Sequence, residues 1–211
     1  MLGVKGAMTM VAHPTDMPIS VAEYVALEQH SQVKHEYIDG YVYAMTGGTL
    51  THSVITANVT TAIRMCVRGG PCRVYSSDAR VQLTPTRYVY PDVSVGCDER
   101  DRGPAGQDHT CIYYPTLAVE VLSASTEAYD RGDKFAFYRG NATLRQYVLI
   151  NARHVGVEVY TRAAADTWLY QAYSPGDDVE LECIGLRCPI AVFYEDADVP
   201  DVAVLPAPGD Q

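Results

Sequence analysis

Between residues 20 and 70 the apolar positions change period, and those changes lay out the first elements. Ser20-Val21-Ala22-Glu23 forms a capping box, in which a Ser hydroxyl accepts a backbone N–H three residues on and the Glu carboxylate reaches back. It predicts a short helix to about residue 30. His35-Glu36-Tyr37-Ile38-Asp39-Gly40-Tyr41-Val42-Tyr43-Ala44-Met45 then places aromatic and β-branched residues on both sides of Asp-Gly, a strong hairpin pattern. After Gly47-Gly48, the residues Leu50, Val54, Ile55, Val59, Ile63 and Val67 fall at helical spacing, which predicts a helix over 50–68 ended by Gly69-Gly70-Pro71.

Strand patterns dominate the rest of the chain. Residues 72–83 read as a strand interrupted near Ser77-Asp78, and residues 88–95 as a second with Pro91 in or beside it. Residues 96–113 are polar and irregular, a surface loop. Thr116 to Leu122 is almost wholly apolar, the pattern of a central strand buried on both faces. A helix over 125–139, closed by Gly140-Asn141, precedes a strand from Gln146 to Asn151. A hairpin over 156–173 and short strands over 179–193 complete the pattern. Helices and strands mix in one 211-residue chain with no repeat and no internal linker, so an α/β (α+β) class and one domain are expected. Residues 1–17 read as a disordered leader, 18–195 as the domain, and 196–211 as an acidic, Pro-containing tail.

Composition changes this picture in three ways. No apolar run approaches the roughly 18–20 residues that span a bilayer, and residues 1–14 lack the pattern of a secretory signal, so a cytoplasmic location and no membrane partner are expected. The six cysteines include no C-x-x-C pair, and with no export signal they read as reduced thiols rather than a zinc site. The net charge of −10 argues against nucleic acid, but residues 1–150 carry 13 Lys/Arg against 15 Asp/Glu, and residues 151–211 carry 3 against 11. The acidity therefore belongs to the C-terminal part and leaves the remainder nearly neutral.

Two carboxylates carry the candidate chemistry. Asp92 follows Pro91 at the start of one strand, and Glu120 interrupts the apolar run of another. A charge inside a buried strand is costly unless offset. Two carboxylates on adjacent strands repel until a cation lies between them, and oxygen donors favour Mg²⁺ or Mn²⁺.

Taken in order, Tyr90-Pro91-Asp92-Val93-Ser94-Val95, Val119-Glu120-Val121-Leu122-Ser123 and Tyr129-Asp130-Arg131-Gly132-Asp133-Lys134 with Tyr138 resemble the Uma family of restriction-endonuclease-like proteins. That family belongs to the PD-(D/E)XK nuclease superfamily and was formerly a domain of unknown function. The resemblance extends to His35–Gly40 and His52 and spans roughly residues 18–195. It implies a restriction-endonuclease-like core: a mixed central sheet flanked by helices, with an N-terminal helix and hairpin and extra C-terminal strands. It also implies a metal-dependent endonuclease acting on DNA, with Asp92 and Glu120 as metal ligands. Leu122 stands where the superfamily places its lysine, and Lys134 on the next helix matches the displaced position. Lys134 would orient the attacking water and offset phosphate charge.

Further candidates follow from the same comparison. Glu36 reads either as a solvated strand residue or as an accessory metal ligand, the Val121 carbonyl would be a further ligand, and His52 reads either as an ordinary surface or core histidine or as a site residue. Asp78 is either an exposed turn residue, the preferred reading, or a contributor to the cleft. Tyr138 shares a helix face with Lys134 and reads as packing. Cutting both strands of a duplex suggests a homodimer, by analogy. The competing readings are a non-catalytic nuclease-fold module that binds protein or nucleic acid, and a hydrolase of small phosphoesters.

Overall fold

A computed structural model of the chain describes residues 17–45, 47–103, 110–164 and 166–201. The expected leader, apart from Met17, and residues 202–211 of the expected tail lie outside these. The capping box forms as read: Ser20 and Glu23 exchange hydrogen bonds at the start of α1 (Val21–His30). The hairpin β1 (His35–Ile38) and β2 (Tyr41–Ala44) turns at Asp39 and Gly40, whose φ values are 49° and 103°. Glycine is needed at the second position, because a Cβ there would lie 2.7 Å from the Cβ of Pro18. Helix α2 (Leu50–Cys66) buries Ile55, Val59 and Ile63, the apolar stripe seen in the sequence.

Strands β3 (Arg73–Ser76) and β4 (Arg80–Thr84) flank the expected interruption at Ser77-Asp78. The single strand expected over 88–95 is two: β5 (Arg87–Val89) and β6 (Val93–Gly96), which lie in different sheets. Pro91 cannot donate to a ladder, and the chain crosses between sheets there. The expected loop over 96–113 holds a 3-10 turn at Glu99–Arg102 and a short strand, β7 (Cys111–Ile112); residues 104–109 lie outside the described ones. Strand β8 (Pro115–Leu122) leads to a helical segment made of α3 (Glu127–Tyr129), a π-helical turn (Asp130–Lys134) and α4 (Phe135–Gly140). Then come β9 (Gln146–Asn151), the hairpin β10 (Val157–Ala164) and β11 (Thr167–Tyr173), and the pair β12 (Asp178–Leu181) and β13 (Leu186–Pro189). The remainder of 179–193 is 3-10 turn rather than strand.

The larger sheet has the order β11-β10-β9-β8-β6-β3, and it is mixed because β8 and β9 run parallel while its other pairs run antiparallel. One face, through Val93, Val119, Val121 and Ile150, packs on α2 and on Phe193 near the C-terminal end. The other face, through Ala118, Leu122, Tyr147 and Leu149, packs on Tyr138 of α4 and on Val81, Leu83 and Val89 of the second sheet. That second sheet has the order β2-β1-β5-β4-β7, and α1 covers its outer side through Tyr24, Tyr37 and Tyr88. Burial on both faces explains why β8 reads as a continuous apolar run.

Two expectations need correction. The chain does not fray at Asp196: Ala197 is buried, and Pro200 accepts a hydrogen bond from the Val155 N–H at 2.9 Å. The cysteines are not all reduced thiols, since Cys72 and Cys97 form a disulfide. Arg73 pairs with Gly96, so one further step of the β3–β6 register sets these two cysteines across from each other. Cys66, Cys111, Cys183 and Cys188 form no disulfide among the described residues. No described helix is long and apolar enough to cross a membrane.

Candidate active site

Strands β6 and β8 pair Val93 with Val119 and Ser94 with Ala118. Extending that register one step places Asp92 opposite Glu120, and facing residues project to the same side of a sheet. That side carries Ala118 and Leu122, the face covered by the π-turn helix. The two acids are close enough for their charges to repel, but they turn to different neighbours: Glu120 toward Lys134 of the π-helical turn, Asp92 toward the Val121 N–H and His52 of α2.

Each acid is held by different partners. Asp92 Oδ2 accepts the Val121 N–H at 2.7 Å and lies 3.2 Å from His52 Nε2. His52 sits in the first turn of α2, capped by the Thr49 hydroxyl, and a Cβ on Gly48 would come within 2.8 Å of its ring. Glycine at 48 thus makes room for the imidazole. The hydrogen bond to Asp92 raises the His52 pKa above its usual value against the opposing effect of burial, and the charges of Asp92 and Asp130 add to the rise.

Glu120 Oε1 lies 2.9 Å from Lys134 Nζ and accepts the Tyr138 hydroxyl at 3.0 Å. The same ammonium lies 3.0 Å from Glu36 Oε1 and 3.7 Å from Asp130 Oδ1. Glu36 also accepts the Tyr129 hydroxyl at 3.1 Å and the Tyr90 N–H at 3.4 Å. Lys134, Glu36, Glu120 and Asp130 are each about 5% exposed, whereas the Asp92 and His52 side chains are 19% and 18% exposed. The cluster is closed at its lysine end and opens toward solvent at Asp92.

Of the residues singled out from the sequence, the structure brings together Asp92, Glu120, Lys134, Val121, Glu36 and His52. It leaves Asp78 outside: that side chain is 82% exposed and pairs with Lys34 at 2.5 Å. Sequence reasoning missed Asp130 and Tyr129, and took Tyr138 for packing although its hydroxyl bonds Glu120. The signal for Asp130 was its place four residues before Lys134, which in an isolated helix means only a surface ion pair.

Burial holds the Glu120 carboxyl well above the usual range; Lys134 opposes this, and repulsion from Asp130 and Asp92 reinforces it. Burial likewise raises Asp130. For Lys134 burial acts downward, but attraction from Glu120, Glu36 and Asp130 outweighs it, so the amine keeps its proton. The folded chain thus binds the Glu120 proton more tightly than the unfolded chain does. Stability from this group is present below the unfolded value of about 4.3 and is lost as pH rises through the raised folded value. In metal-free buffer, Glu120→Gln should therefore flatten the fall in stability between about pH 5 and pH 8. At the upper end it should leave the variant more stable by on the order of 1 kcal/mol. Urea unfolding across that range measures both, and an unchanged slope would show that Glu120 does not carry this charge burden.

Chemically, the donors suit a hard divalent cation. Asp92 Oδ1 and Glu120 Oε2 accept no hydrogen bond among the described residues, so each carboxylate keeps one oxygen available. No group of three or more His, Cys, Asp or Glu is set to hold a metal among the described residues. A two-carboxylate site completed by water and substrate phosphate is the usual form for Mg²⁺, and it fits what is present.

Comparison with known proteins agrees with this fold. A solved structure titled a "putative nuclease belonging to DUF820", from Anabaena variabilis ATCC 29413, superposes with a TM-score of 0.69 at 18% identity, covering 85% of this chain and 99% of that one. The uncharacterized protein slr1290 of Synechocystis sp. PCC 6803 is 42% identical over 189 residues, 88% of this chain and 97% of that protein. The uncharacterized protein sll1609 of the same organism is 29% identical over 176 residues, 82% and 97% of the two chains. The family model Uma2, described as "Putative restriction endonuclease", matches residues 21–192, and with that span, nearly the whole described domain, the chain belongs to the Uma2 family.

Proposed function

We propose that the chain is a Mg²⁺- or Mn²⁺-dependent endonuclease that hydrolyses phosphodiester bonds, with DNA as substrate. The observation that carries this reading is the register that sets Asp92 opposite Glu120, beside a buried lysine. Burying three carboxylates, Glu36, Glu120 and Asp130, around one ammonium is a poor way to stabilise a fold, and such clusters concentrate at functional sites.

In this reading Asp92 and Glu120 hold the cation, with the Val121 carbonyl as a further donor. The bound metal would acidify a water and polarise the phosphate. His52 fixes the Asp92 carboxylate through Oδ2 and leaves Oδ1 for the ion. Glu36 and Asp130 hold Lys134 in place, so that its ammonium faces the position where charge develops on the phosphoryl oxygens. Water adds to phosphorus, one P–O ester bond breaks, and the products are a phosphomonoester and a hydroxyl. Glu36 serves here as an anchor for Lys134 more than as a metal ligand. A homodimer and a cytoplasmic location belong to the same proposal.

One observation favours a second reading, a non-catalytic binding module: Lys134 already neutralises Glu120 without any metal. Supercoiled plasmid separates the two. The full chain should nick it with Mg²⁺ or Mn²⁺, stop when EDTA is added and resume when metal is restored in excess. No cleavage of DNA or RNA with any divalent ion would favour the module. Cleavage of model phosphoesters alone would favour a small-molecule hydrolase.

A further inference from the structure

Between α1 and the second sheet, and joined to the acid cluster through Tyr90, lies a cleft of about 350 Å³ that the chemistry above does not use. Its lining includes Glu28, Gln29, Gln32, Val33, Arg80 and Tyr90. The size falls at the lower end for small-ligand sites. Its walls are shared with the cluster. Tyr90 donates its hydroxyl to Glu28 Oε2 at 2.6 Å on the cleft side, its N–H points to Glu36, and Asp92 is two residues on. His35 lies 2.7 Å from Glu28 Oε1, and its neighbour Glu36 turns to Lys134.

The cleft floor is charged but of mixed sign. Arg80 is 4% exposed and its guanidinium lies 5.5 Å from the Tyr24 ring and 5.7 Å from the Tyr88 ring. The Glu28 side chain, 7% exposed, lies in the same floor. At the rim, Gln29 and Gln32 are exposed, and their amides make no hydrogen bond among the described residues. Mixed donors and acceptors with apolar surface from Val33 and Tyr90 suit a heterocycle better than a simple anion. Amides read base edges in pairs, and aromatic rings support base faces.

We propose that this cleft is a subsite for the base of a nucleotide adjoining the scissile phosphate, supported by Tyr90 and Val33 and read by the amides of Gln29 and Gln32. It rests on the nuclease reading, because it places a polynucleotide strand across the sheet end between the two sites.

The test has two arms, both on the full chain. In the first, each of the four deoxynucleoside monophosphates is titrated without metal into the wild type and into Gln29→Ala/Gln32→Ala, followed by amide resonances. At least one should shift the side-chain amides of Gln29 and Gln32, and the double variant should bind it about tenfold or more weakly. In the second, DNA fragments cut by each protein are sequenced at their ends. The wild type should show a base preference beside the cut that the variant loses. If no mononucleotide shifts those amides, or if the variant binds as well as wild type, the subsite is refuted. Cleavage with an identical end distribution in both proteins refutes it too and leaves the nuclease reading intact. If the chain binds a base here but cuts nothing, the nuclease reading falls, and the cleft stands as a site for free nucleotides rather than for a substrate strand.

Discussion

Asp92→Ala or Glu120→Ala should lower the metal-dependent cleavage rate by about 10³-fold or more, and the double variant should be little worse than either alone. Both carboxylates act on one ion, and losing either removes the same stabilisation of the transferring phosphoryl group, a loss of roughly 4 kcal/mol or more. The fold should survive. Without the Glu120 carboxylate, Lys134 still faces Glu36 at 3.0 Å and Asp130 at 3.7 Å. Without the Asp92 carboxylate, the Val121 N–H and the His52 ring lose an acceptor in a part-exposed position, at about 1–2 kcal/mol. Single-turnover cleavage beside a urea melt separates chemistry from stability. Variants that stay folded and cut at the wild-type rate would remove these two residues from the mechanism.

Lys134→Met should cost about 3–5 kcal/mol of stability at pH 8, more than any single hydrogen bond in the site. The substitution keeps the length of the side chain but leaves Glu36, Glu120 and Asp130 buried around no cation. The sign with pH is fixed by the acids. Burial already holds Glu120 and Asp130 above their usual values, and removing the ammonium takes away the main influence that lowers each of them. Acidification lets them bind protons in the folded state, so the deficit should shrink as pH falls from 8 toward 5. Urea unfolding of the two proteins at several pH values reads this directly. A loss below about 1 kcal/mol at pH 8 would mean that the lysine does not hold the cluster together.

Glu120 and Lys134 also mark how far the sequence could be read. Elements set by local chemistry were legible: the capping box at Ser20, the Asp39-Gly40 turn, the stripe on α2, and the bounds of Gln146–Asn151. The apolar run of β8 showed Glu120 as an isolated charge in a buried strand, which is why the site was found at all. What stayed hidden depends on contacts between distant segments. Lys134 reads from the sequence as the displaced lysine of the motif, but only the packing of β1 against the π-turn brings Glu36 to it from 98 residues away. Asp130 was overlooked for the same reason, because burial turns a weak surface pair into part of a closed cluster. Pro91 marked a break but not a change of sheet. The pairing of Cys72 with Cys97 needs the β3–β6 register, which nothing in the cysteine spacing encodes.

The most direct test of the account is diffraction from crystals of the full chain soaked in Mn²⁺, with data collected at the manganese edge. The expected result is one anomalous peak bridging the carboxylates of Asp92 and Glu120, with the Lys134 ammonium beside it, and no peak there in Asp92→Ala crystals. Manganese bound elsewhere with that gap empty at millimolar metal, or a peak that persists in Asp92→Ala, would contradict it.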